Sequence, residues 1–75
     1  MSLEEYVKEK LWQVLVETVH ALVMYPNHKA YTREVVLHEK PDIKPEELAA
    51  KLRMPLGEAL VILYELANER KQQSL

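Results

Sequence analysis

Pro45 to Leu66 reads PEELAAKLRMPLGEALVILYEL, and the reading of this stretch decides the fold. Pro45 suits the first position of a helix, where its missing N–H costs nothing. Glu46 and Glu47 follow in the first turn, where negative charge meets the positive end of the helix dipole. Leu48, Ala49 and Leu52 recur at helical spacing and form a buried face, while Glu47 and Lys51 pair on the wet face. The cap position is Lys44, which lacks the short acceptor that Ser, Thr or Asp would supply. Met54-Pro55 breaks the chain, and Pro55 opens a second helix whose inner face is Ala59, Ile62, Leu63 and Leu66. Leu60, Val61 and Tyr64 are assigned to its outer flank, so the helix is greasy on both sides.

Upstream, Ser2-Leu3-Glu4-Glu5 fits a capping box, and a helix is expected from about residue 3 to about residue 24. Leu3, Val7, Leu11, Val14, Leu15, Thr18, Val19 and Leu22 recur on one face, which is taken as the core face. A second row, Trp12, Val16, Val19 and Val23, adjoins it and is taken as the outer row. Two rows make this helix apolar around more than one core contact needs. Tyr25 precedes Pro26, which disfavours continuing the helix, and Pro26-Asn27-His28-Lys29 reads as a turn. Thr32 caps a short segment with Val35, Val36 and Leu37. Its β-branched pair permits a strand, and a short helix is preferred over one because Glu34 and His38-Glu39-Lys40 suit helix ends. Gln72 to Leu75 are expected to fray.

The expected architecture is all-α: a single helical domain over residues 1–75, with three or four helices. A chain of 75 residues is one domain. Such a small domain is marginal alone and needs disulfides, metals or association. Cys is absent, which excludes disulfides and thiolate metal sites, and hydrophobic residues make up 48% of the chain, which excludes global disorder. Lacking a long apolar run and a basic leader, the chain reads as cytoplasmic, with no membrane span.

The Pro45–Leu66 stretch resembles a helix-turn-helix. Ala49 stands where the two helices of that unit touch, Leu52 follows one turn later, Met54 plugs the turn, and Ala59 and Ile62 take the inward positions of the second helix. Arg53 stands where the turn wants a Gly in the left-handed conformation. The segment is similar to the core of small winged-helix proteins, although only ANERKQQSL follows Leu66 and it has no strand pattern for a wing. The resemblance implies DNA binding and dimerisation, with Leu56, Gly57, Glu58, Leu60, Val61 and Tyr64 facing the groove. None of these is basic, and Glu58 would repel phosphate. Phosphate contacts would fall to Lys44, Lys51, Arg53, Arg70 and Lys71 at the margins. From Lys44 onward five basic residues meet five acidic ones, and the whole chain carries −2, which gives little of the basic excess that counterion release from DNA uses.

Catalytic and metal chemistry find no support. His20, His28 and His38 match no ligand spacing, Ser2 and Ser74 lie at the ends, and a single Gly forms no phosphate loop. No cofactor and no small-molecule substrate are expected. The preferred functional expectation is a homodimer or other homo-oligomer, or a complex with another protein, held through Trp12, Val16, Val23, Leu60, Val61 and Tyr64. Leaving the three α-helical side chains of the last helix wet would create an apolar patch of the kind monomers avoid. The alternative is a small dimeric DNA-binding regulator.

Overall fold

The computed structural model describes residues 2–73. Among the described residues every regular element is helical: α1 (Leu3–His20), α2 (Tyr25–Tyr31), a π-helical stretch (Thr32–Val36), α3 (Leu37–Glu39), α4 (Pro45–Leu52) and α5 (Leu56–Gln73). The fraying expected at the C-terminus falls partly on residues 74 and 75, outside the described residues.

The N-terminal cap forms as the sequence dictates, with the Glu5 N–H donating to Ser2 Oγ at 3.2 Å. The other end of α1 corrects two expectations. The helix stops at His20, four residues early, and its last turn tightens: the Ala21 N–H donates to the Thr18 carbonyl and the Leu22 N–H to Val19. The segment from Pro26 to Lys29 is then not a turn but the start of α2, with Pro26 in its first turn. Proline lacks only an N–H that no helix of this kind uses at that position, so Pro26 acts as Pro45 does.

From Tyr25 to Glu39 the backbone runs as one rod. Thr32 is an interior residue rather than a cap, and its buried hydroxyl donates to the His28 carbonyl at 2.7 Å, which satisfies a polar group inside a helix. One turn on, the Leu37 N–H reaches back five residues to the Thr32 carbonyl, the wider ring of a π-bulge. Residues 32–39 are therefore helical, as preferred.

At α4 the Lys44 side chain cannot accept a hydrogen bond, so the Glu47 carboxylate does the capping from inside, accepting the Lys44 N–H at 3.1 Å. The helix ends with Arg53 at φ 57°, ψ 50°, the left-handed conformation expected at that position. The Met54 N–H closes on the Ala49 carbonyl at 3.0 Å, a Schellman-type stop. Met54 is buried, and α5 starts two residues later.

The core joins the middle rod, α4 and α5. Val36, Leu48, Met54, Ala59, Ile62 and Leu66 are buried together, with Tyr25, Leu37, Ile43, Ala49, Leu52 and Leu63 packed around them. Leu48, Ala59, Ile62 and Leu66 were all legible as inward residues. No residue of α1 belongs to this cluster. α1 lies across α5 at its C-terminal half only, and the molecule is elongated, 45 × 33 × 21 Å, with a radius of gyration of 13.7 Å against about 11 Å for a compact chain of this length.

Candidate interaction surface

The contact between α1 and α5 draws on both rows of α1, from Trp12 onward only. Trp12 stands edge-on to Tyr64, ring centroids 4.9 Å apart. Leu15 covers Gly57 so closely that a Cβ there would lie 2.8 Å from its Cδ1. Val16 is half-buried and Val19 is buried. Trp12, from the row taken as outer, and Leu15, from the row taken as core, thus both meet α5. Of the row taken as core, Val19 is buried and Leu15 half-buried, while Leu3, Val7, Leu11, Val14, Thr18 and Leu22 are exposed, Leu3 to 80%. The reason lies in length: α1 runs 18 residues, about 27 Å, and the domain beneath it ends near Leu15. Every residue from Ser2 to Val14 is exposed.

Of the residues assigned to a protein interface, Val61 is corrected outright: it is 0% exposed and is core. Trp12 and Tyr64 are partly spent on each other, and Val16 is half-buried. Leu60 and Tyr64 do remain exposed, joined by Leu56 one turn earlier, so the outer flank of α5 is a single row four residues apart. Val23 is exposed to 89%, beyond the end of α1. Leu3, Tyr6, Val7, Leu11 and Val14 were missed as surface residues. The signal was present in the length of α1 relative to the mass left to cover it.

The positions that the helix-turn-helix resemblance turned toward DNA are likewise corrected. Glu58 is 2% exposed and Val61 is buried, and Gly57 lies under Leu15, leaving Leu56, Leu60 and Tyr64 outside. The five cations are all exposed but scattered. Lys44 and Lys51 sit at opposite ends of α4 and Arg53 is in the turn, while Arg70 and Lys71 lie in the last turns of α5, more than about 20 Å along the helix from its start.

A polar seam that the sequence did not reveal fixes the middle rod and the end of α1 to α5. Glu58, Glu65 and Glu69 share one face of α5 at a spacing of seven and four. His28 Nδ1 meets Glu58 Oε2 at 2.6 Å, His20 Nε2 meets Glu65 Oε2 at 2.7 Å, and Tyr25 donates to Glu65 Oε1 at 2.5 Å. Lys29 bridges to Glu69 at 2.6 Å, and Arg33 reaches it at 3.1 Å. Burial works to raise the Glu65 pKa, but hydrogen bonds from Tyr25 and His20 and the Lys29 charge outweigh it and hold the carboxyl below its ordinary value. The hydrogen bond from Lys29 does the same for Glu69. Burial, reinforced by the Glu65 carboxylate, pushes the Tyr25 phenol up. On α4, the Lys40 ammonium beside Glu47 lowers that carboxyl. His20 and His28 are thus engaged with separate carboxylates, and among the described residues no three metal-ligating side chains come together.

The chain exposes 5731 Å², where a compact folded monomer of its 8.8 kDa exposes about 4,800 Å². The excess, roughly 900 Å², is close to one partner's share, about 800 Å², of a standard protein–protein interface. Among the described residues no helix is long and apolar enough to cross a membrane. No protein family, no curated protein and no solved structure matches the chain.

Proposed function

We propose that the chain is a non-catalytic interaction module that self-associates through the apolar side chains it leaves exposed. The observation that carries this reading is the unpartnered face of α1, where Leu3, Val7, Leu11 and Val14 are wet while the same helix is anchored at its other end. Monomers avoid contiguous apolar patches of this kind. Burying a side chain such as Leu11 contributes about 1.5–3 kcal/mol, so a few of them outweigh the cost of bringing two chains together. Light scattering from dilute to concentrated solution tests the reading. A mass of twice 8.8 kDa, or a higher multiple, is expected; a monomer at every concentration overturns it.

A second reading, a small dimeric DNA-binding regulator, draws on one observation: Arg53 takes the left-handed conformation in the break between α4 and α5, with Lys51 exposed beside it. In that reading Lys51→Ala and Arg53→Ala weaken duplex binding with a clear salt dependence. Absence of any gel shift with mixed duplex at low salt removes it.

A further inference from the structure

We infer that the partner of α1 is α1 of a second copy, packed antiparallel about a two-fold axis at Val7, so that Leu3 of one chain lies against Leu11 of the other. This rests on the self-association reading and specifies its geometry. Three observations lead to it.

The first is shape. Leu3, Val7 and Leu11 form a straight ridge on α1. Apolar hollows flank it, lined by Glu4 and Lys8 on one side and by Tyr6, Lys10 and Val14 on the other. A ridge between hollows is self-complementary, as an isologous contact requires. The second is area. The surface this chain exposes beyond a compact monomer is close to one side of a standard interface, and every residue of α1 up to Val14 is part of the exposed surface.

The third is charge, which chooses the direction. One flank of the ridge carries Glu4 and Lys8, and the other carries Tyr6 and Lys10. In an antiparallel pair each flank faces its own counterpart. With Val7 on the axis, Glu4 of one chain and Lys8 of the other are offset by two residues, about 3 Å along the helix, within reach of an ion pair on both sides of the axis. In a parallel pair opposite flanks face each other, and Lys8 stands two residues, about 3 Å along the helix, from Lys10 of the second copy, which opposes like charges. Antiparallel packing also aligns the helix dipoles favourably.

The chain has no Cys, so engineered thiols report the geometry directly. Val7→Cys is expected to oxidise to a covalent dimer roughly tenfold faster than Glu9→Cys on the opposite face of α1, because only residues at the axis bring their Cα atoms within disulfide range. Leu3→Cys alone should resist, since its two copies stand about 12 Å apart along the axis. Leu3→Cys mixed with Leu11→Cys, one of them isotope-labelled, should give the mixed disulfide. All four sites are exposed, and helicity measured by circular dichroism checks that each variant keeps its fold. Cross-linking of Leu3→Cys with itself overturns the antiparallel arrangement. A dimeric mass with Val7→Cys no faster than Glu9→Cys places the contact elsewhere and overturns this geometry while leaving self-association standing. A monomeric mass removes both.

Discussion

Arg53 holds φ 57° and ψ 50° with a Cβ in place, a conformation that costs an L-residue about 1–2 kcal/mol. It is kept there because the Schellman closure from Met54 to Ala49 and the burial of Met54 over-determine the turn. Arg53→Gly removes the strain, offset by greater freedom in the unfolded chain, and should raise unfolding stability by about 0.5–1 kcal/mol in a urea titration. Arg53→Val, β-branched, should lower it; equal stability of the three variants would contradict a strained turn. Glu58 makes the opposite argument at the scale of one side chain. It is a carboxylate buried beside His28, where a neutral apolar residue would be the default. Removing His28 leaves the carboxylate without that partner, so His28→Ala should cost about 2–3 kcal/mol. With Glu58→Ala the double variant should lose less than the sum of the singles. Additive losses would mean that the two side chains do not act as a pair.

Among the elements, α1 and α5 set the character of the molecule. Gly57 is the point of closest approach between them, and Leu15 occupies the space a larger side chain would need. Gly57→Leu should therefore lift α1 away while the core of α4, α5 and the middle rod persists, at a cost of about 1–3 kcal/mol. The only tryptophan, Trp12, reports this directly through its contact with Tyr64; an unchanged emission spectrum would show that α1 is not displaced. The acidic face of α5 gives a pH prediction. Glu65 and Glu69 are held below the ordinary carboxyl value of 4.5. A depressed folded-state pKa contributes stability that is present above 4.5 and is lost as pH falls through the lowered values. The thermal midpoint should decline on acidification below about pH 4.5, and Glu65→Gln should flatten that decline. Much of these elements was legible beforehand. Ser2, Pro45, the break at Met54-Pro55 and the inward row Ala59, Ile62, Leu66 follow from capping chemistry and period. How far α1 is covered was not, because both apolar rows run the length of the helix in sequence, and only the contacts of Trp12 with Tyr64 and Leu15 with Gly57 show that the domain reaches its C-terminal part alone. Pro26 was misread for a related reason: proline both ends and begins helices, and the deciding hydrogen bonds at Thr18 and Val19 involve backbone alone. The polar seam needed pairs 30 to 45 residues apart, such as His28 with Glu58 and His20 with Glu65, which no local pattern announces.

At the scale of the whole molecule, a small core is asked to support a long free helix. Isolated helices of this length are marginal in water, and the first dozen residues of α1 gain nothing from the core cluster. A second copy laid along Leu3, Val7 and Leu11 would supply the missing burial to both chains at once, coupling folding of this half of α1 to association. The coupling is measurable, because a partner that binds only the folded state stabilises it by mass action. The thermal midpoint of the natural chain should rise across a roughly hundredfold increase in protein concentration. Leu11→Glu, which puts a charge on the ridge, should abolish that rise and lower helicity at the N-terminal end. It should leave the midpoint of the core near the natural chain's dilute value, since Leu11 lies outside the core cluster. Leu60→Glu distinguishes the other exposed row: if the concentration dependence survives it, α1 alone carries the contact, and if it disappears, the flank of α5 takes part. A midpoint independent of concentration in the natural chain would mean that the free half of α1 stands by its own helical propensity, and that its apolar ridge is not covered by another copy.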